Sequence, residues 1–181
     1  MILIGLALAL LIYLPALKGP PIWDDLHTIA ANVYISRGKL KKPFSWRGNY
    51  QGFSLPIPRW PVQTSWALVF RWLPESLHWE ALHLSSTLFH VAYAMATIPI
   101  SRYLGADADI VFLLVIVHSL ATPAVASPSQ RASVISQMFL LLAADAMLIH
   151  AWILVPLFLF IAAWSKEDAF GMPTLLLLLI P

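Results

Sequence analysis

Two adjacent carboxylates, Asp24 and Asp25, directly follow the first apolar run in the stretch Trp23-Asp24-Asp25. A carboxylate pair at a membrane surface can hold a divalent cation, or one member can accept a proton as a general base. The same pair can instead cap a helix over residues 25–36, because an Asp at a helix start accepts backbone amide hydrogen bonds. His83 and His90 are seven residues apart, two helical turns, so they share one face of an apolar helix. A polar stripe on such a helix faces protein or water, and the plain role for it is a helix–helix hydrogen bond. Arg59, Arg131 and the run Ser165-Lys166-Glu167-Asp168 supply further charged groups. Arg131 opens an apolar run and can snorkel to the interface, and the Ser165–Asp168 run can be a simple surface loop. Asp145 and His150 lie at the far end of their apolar run, where an interfacial role suffices.

These groups are set in a chain of 181 residues that is 60% hydrophobic and 11% charged, with a mean hydropathy of +0.77. Soluble domains carry roughly 45–50% apolar and about 25% charged residues. That gap excludes an ordinary soluble globular protein, a disordered chain and a nucleic-acid-binding module. The expected fold class is all-α, a polytopic membrane helix bundle of about five to six transmembrane segments with a long loop after the first. A net charge of +2 suggests no polyanionic partner, and with no cysteine there is no disulfide, thiolate catalysis or cysteine metal site.

A spanning helix needs about 20 mostly apolar residues. Residues 1–17 qualify, stopped by Pro15 and Gly19-Pro20-Pro21, and they lack the basic n-region and small-x-small cleavage site of a signal peptide. An uncleaved anchor is expected there. Residues 79–101, 108–126, 132–149 and 151–165 are further candidates, and 170–181 forms a short apolar end. Residues 64–73 are too short to span and read as an amphipathic helix lying at the interface. The tryptophans near these helix ends read as an aromatic belt.

Charge divides the chain. Residues 18–78 hold eight of the eleven basic residues against Asp24, Asp25 and Glu75, and seven of the fourteen prolines. The expected organisation is a first transmembrane helix over 1–17, a basic, proline-rich extramembrane or interfacial loop over 18–78, and a helix bundle over 79–181. Alternating the spans across a bilayer delivers Asp24, Asp25, Arg59, Arg131 and Lys166 to one surface. The positive-inside rule would put the 18–78 loop in the cytoplasm, and its basic stretch 37–47 could approach anionic headgroups.

The order of these features resembles the N-terminal half of a GT-C glycosyltransferase, closest to the membrane region of the tetratricopeptide-containing O-mannosyltransferases and their bacterial relatives. Trp23-Asp24-Asp25 is similar to the acidic pair that opens the first extracytoplasmic loop of that family. Arg59-Trp60-Pro61 stands where the family has a loop-ending Arg-Pro-Leu. His83 and His90 resemble a His-x-x-Asn-x-x-x-His helix, with Ser86 at the asparagine. His118 with Ala124-Val125-Ala126 resembles a His-Pro-x-His-x-Glu-Ala-Val-Ala stretch, and is grouped with His83 and His90 as a polar face. Arg131 stands at the Gly-Arg that follows, and Ser165-Lys166-Glu167 at a Ser-Lys-Glu. The chain departs from the pattern at Ser119, Ala121, Pro123 and Ser133, which remove the second histidine and the second acidic site.

The resemblance implies sugar transfer from a polyprenyl-phosphate carrier at the outer membrane face. Asp24 would be the base, and Asp25 its orienting or metal-holding partner. Arg59, Arg131 and Lys166, beside Glu167, would face the carrier phosphate, with a divalent cation at Asp24 and Asp25 if the chain is active. The truncated motif set favours a different expectation. The chain is then a degenerate GT-C-like module, kept as a structural or accessory subunit of a photosynthetic, respiratory or envelope assembly in a bacterial inner or intracytoplasmic membrane. Its expected partners are membrane lipids and other membrane subunits packing on 170–181, with no nucleic acid. A small transporter or channel would want mid-span charges and internal repeats; Asp145 alone fits, and no repeat is evident.

Overall fold

The computed structural model describes residues 2–22, 25–30, 32–38, 48–50, 53–55, 59–118, 125–166 and 169. The described chain is predominantly helical: α1 (Ile2–Leu17), α2 (Val33–Ser36), α3 (Trp60–Trp72), α4 (His78–Tyr103), α5 (Ala108–Val117), α6 (Arg131–Leu148) and α7 (Leu154–Ser165). A π-helical turn spans Leu26–Ala30. One short antiparallel hairpin, β1 (Gly48–Tyr50) with β2 (Phe53–Leu55), pairs Gly48 with Leu55 and Tyr50 with Phe53 beside the helices of the expected all-α fold.

The local sequence explains most of the helix ends. α1 runs out at Gly19, whose amide bonds Ala16 O, just before Pro20-Pro21 removes further donors. α3 carries Pro61 in its first turn, where no amide partner is lost, and stops at Leu73, extended because Pro74 follows. α4 closes at Gly105 (φ 73°), where Ala106 N bonds Ser101 O and Gly105 N bonds Arg102 O. Asp107 then caps α5, accepting from the amides of Asp109 and Ile110. α6 closes in the same manner as α4, but with His150 in the left-handed position (φ 58°) and Ala151 N on Ala146 O.

Among the described residues, one segment, Pro128–Leu148, is long and apolar enough to cross a membrane, while Leu3–Leu17, Ala108–Val117 and Leu154–Ser165 are shorter apolar helices. The 26 residues of α4 extend about 39 Å. α5 differs from its sequence expectation. The apolar run to residue 126 is not one helix, since α5 ends at Val117 after about 15 Å and His118 is extended.

Three packed clusters hold the elements together. α1, α4 and α5 share Ala9, Tyr13, Val91, Ala94, Phe112 and Ile116. Ile29 and Ile35 join Val62, Trp66 and Ala67 of α3, Leu82 of α4, and Ala132 and Ile135 of α6. Leu140 and Ala162 join α6 to α7. The second cluster draws the 18–78 segment into the fold, with its Ile29, Ile35 and Trp66 wholly buried. The expected interfacial helix begins at Trp60 rather than residue 64, and it turns Val62 and Trp66 into protein, with the Trp66 indole N–H donating to Pro128 O at 3.1 Å.

Gly5 sits where a Cβ would overlap the Phe112 ring, which is why α1 and α5 can approach. Gly5→Ala is therefore expected to destabilise the fold by about 1–3 kcal/mol through overpacking. A thermal melt in detergent checks it, with partial recovery expected in the Gly5→Ala/Phe112→Leu double variant.

Candidate functional site

Residues 127–133, the turn into α6 and its first residues, bring the predicted charges together. Asp25 is wholly buried beside this turn. Its Oδ1 accepts from Ser127 Oγ at 3.0 Å and from the Ser129 amide at 2.8 Å, and its Oδ2 accepts from the Ile22 amide at 3.1 Å. Ser127 and Ser129 also share a hydroxyl–hydroxyl bond of 2.7 Å. Asp25 therefore does not cap the stretch that follows it. One of its donors precedes it in sequence and two come from more than a hundred residues away. Such a set of donors holds the carboxylate in a fixed orientation.

Arg131 does not snorkel; it is also wholly buried. Its Nε donates to Ser86 Oγ at 3.1 Å and one terminal nitrogen to Ser65 Oγ at 3.0 Å. The other terminal nitrogen donates to Leu82 O at 2.6 Å and Ser85 Oγ at 2.7 Å. The Phe89 ring lies 5.7 Å from the guanidinium carbon. Among the described residues no carboxylate pairs directly with Arg131, although it is coupled through space to Asp25. The guanidinium fork is thus answered by three serine hydroxyls and one carbonyl drawn from α3 and α4.

The two histidines of α4 have different surroundings. His83 is buried and electrostatically coupled to both Asp25 and Arg131; its ring nitrogens make no well-formed hydrogen bond among the described residues, and the backbone groups of Gly19 and Val125 lie close enough to act on it. His90, two turns on, makes the helix–helix bond expected of it: Nε2 lies 3.4 Å from Ile116 O of α5. The Tyr13 hydroxyl donates to that same carbonyl at 3.3 Å, and its ring meets His90 edge-on. His118 does not join them, because it is exposed beyond the end of α5.

Lys166 donates to Ser133 Oγ at 3.0 Å, which sets the C-terminal end of α7 beside the first turn of α6. Arg59 immediately precedes α3 and is half-buried. Asp24, Glu167 and residues 170–181 lie outside the described residues, as does most of the basic 37–47 stretch. Asp145 lies at the other end of α6 with one carboxylate oxygen buried and unpartnered. Sequence reasoning missed Ser65, Ser85, Ser127 and Ser129. Their only advance signal was a recurrence of serine in otherwise apolar helices, which does not say what the hydroxyls bond.

A divalent cation is not well served by this arrangement. Both oxygens of Asp25 already accept protein donors, and no group of three or more His, Cys, Asp or Glu residues gathers among the described residues. No family model, curated protein or solved structure matches this chain.

The site predicts an asymmetry between conservative changes. Arg131→Lys keeps the charge but, with three donors on one nitrogen, forfeits at least one of the four donor contacts. Each is a charge-assisted bond of about 1.5–3 kcal/mol, so a clear fall in the thermal midpoint is expected, with Arg131→Ala failing to accumulate. Asp25→Asn retains one oxygen for Ser127 and Ser129 and turns a donor toward the Ile22 amide. A loss smaller than that of Asp25→Ala is expected in the same melt.

Proposed function

We propose that this chain is a membrane-embedded helical module of GT-C-like ancestry whose polar cluster serves architecture rather than chemistry, and that it acts as an accessory subunit of a larger membrane assembly. The observation carrying this reading is that the two central charges are spent internally. A carboxylate that orients a base or holds a cation needs a free oxygen, yet Asp25 is wholly buried and holds donors on both oxygens. A phosphate-binding arginine must offer N–H groups outward, yet Arg131 is wholly buried and directs four contacts to neutral protein acceptors.

Membrane residence is supported by the composition, by the 21-residue apolar segment Pro128–Leu148, and by the outward apolar side chains of the shorter helices. Leu3, Leu11 and Leu14 of α1, Ile110 and Leu114 of α5, and Leu157 of α7 are all well exposed. Water would penalise such faces at roughly 25 cal/mol per Å² of apolar surface, and acyl chains or neighbouring helices would not.

A second reading, polyprenyl-phosphate-dependent sugar transfer at the outer membrane face, is favoured by His83. A buried imidazole coupled to both Asp25 and Arg131, with no well-formed hydrogen bond of its own among the described residues, is a group able to serve a reactant.

The two readings separate in one experiment. Membranes containing the chain resist carbonate extraction under either. Purified protein given a radiolabelled polyprenyl-phosphate sugar and a hydroxyl acceptor is expected to transfer nothing, and Asp24→Asn is expected to leave assembly unchanged on a native gel. Transfer that Asp24→Asn or Asp25→Asn abolishes would establish the enzyme instead.

A further inference from the structure

α4 is polar inside and apolar outside. Its His83, Ser86, Thr87, His90 and Ser101 are all buried. Hydroxyls along it donate to carbonyls of the same helix: Ser86 to Leu82 O, Thr87 to His83 O, Thr97 to Ala94 O and Ser101 to Thr97 O. Between Glu80 and Arg102 the residues it exposes are Leu84, Leu88, Met95 and Pro99, all apolar. They lie within about 60° of one another at helical spacing, and no buried residue of α4 falls inside that sector.

The stripe is bounded. Glu80 and Arg102, both exposed, are the only acidic and basic residues of α4 and stand 22 residues apart, about 33 Å along the helix. The hydrocarbon core of a bilayer is about 30 Å thick. A helix on the surface of a soluble protein turns its apolar stripe inward and its polar residues to water; α4 inverts that order and keeps its charges for the two ends. α6 marks the same lower boundary. It starts level with Leu82–Ser86, where Arg131 bonds, and runs along α4 over 17 residues, about 26 Å, to Leu148. Ser86 to Tyr103 is the same distance in residues. Tyr103 and, just past α6, Trp152 are exposed near that level, and Trp72 is exposed before α4 starts, as aromatic side chains are at headgroup depth.

We infer that α4 crosses the bilayer with its polar side turned inward, and that its Leu84–Leu88–Met95–Pro99 stripe lies against lipid acyl chains between boundaries at Glu80 and Arg102. This rests on the membrane reading above and says where the bilayer sits on the fold. The chemistry of the stripe selects the occupant. Helices that associate in lipid draw on small residues and interhelical hydrogen bonds, and the long Leu and Met side chains of this stripe offer neither. Polar residues inside a membrane face protein or water, and those of α4 face protein. The Arg131 network at Leu82–Ser86 then lies about 3–9 Å inside the acyl zone, and His90 lies near the midplane.

The chain contains no cysteine, so single cysteines report cleanly. Nitroxide labels at Leu84→Cys, Leu88→Cys, Met95→Cys, Glu80→Cys and Arg102→Cys are read in phosphatidylcholine vesicles by power saturation. Oxygen probes the acyl zone and a water-soluble nickel chelate probes the aqueous one. Oxygen is expected to dominate at the three stripe positions. Leu88→Cys and Met95→Cys should report nearly equal depth, being eight and seven residues from their respective charges. Nickel access should be severalfold higher at Glu80→Cys and Arg102→Cys. A photoreactive benzophenone attached at Leu88→Cys and irradiated in native membranes should give lipid adducts only. Nickel access along the stripe, a depth that changes steadily from Glu80 to Arg102, shielding from both reagents, or a polypeptide adduct at Leu88→Cys would overturn the inference. Leu11→Cys on α1 and Leu114→Cys on α5 separate the layers. If oxygen dominates at those two while the α4 stripe fails, only this placement is refuted. If nickel reaches them as well, membrane residence falls with it.

Discussion

A fully buried guanidinium with no carboxylate against it, among the described residues, is the constraint on which the rest of this structure hangs. Taking an arginine out of water costs several kcal/mol even after relaxation, so Arg131 can stand where it does only if its donors are met. Ser65 must come from α3, and Leu82 O, Ser85 and Ser86 from α4. Those demands fix the rotation of both helices about the start of α6. Asp25 makes a similar demand two residues earlier, drawing the end of the first connection onto Ser127 and Ser129. The two charges do not touch, but each orders one side of the same turn, and their long-range attraction lowers the cost of burying both.

This arrangement suits an apolar surrounding. Where lipid is as apolar as leucine, burial of side chains gives little net drive for helices to associate, and close contact plus interhelical hydrogen bonds must do more. The contact between α6 and α7 follows that pattern: Ser136 Oγ donates to Ala162 O at 3.1 Å, with small residues bringing the backbones together. Gly5 against Phe112 does the same for α1 and α5. Tyr13 and His90 both bond the Ile116 carbonyl near the end of α5, so even the apolar cluster of α1, α4 and α5 has a polar pin.

The serine substitutions change what the resemblance to sugar transferases implies. Ser86 stands at a position the family fills with asparagine, and here its hydroxyl accepts from Arg131 Nε. Ser133 stands where an acid usually follows the arginine, and here it accepts from Lys166. Both serines, Ser86 and Ser133, thus make bonds that hold helices together.

The sequence alone determined where the long helices run. Apolar runs bounded by Gly, Pro and Asp gave α1, α4, α6 and α7 to within a few residues, because those boundaries are set by backbone donors and local φ preferences. It also determined that Asp25, Arg131 and Lys166 lie toward one end of the bundle, since alternating spans permit little else. Three matters were decided only by tertiary packing. Trp66 is internal because α2, α4 and α6 converge on it, a meeting that no local window around residues 64–73 encodes. α5 stops at Val117 with His118 extended, although the apolar run continues, and its Ile116 carbonyl is met by Tyr13 and His90 from distant helices. Asp25 and Arg131 are buried rather than wet, because their partners come from 45 to 104 residues away. Composition and periodicity register the presence of a charge, but whether it faces water or a ring of hydroxyls depends on which helices meet it.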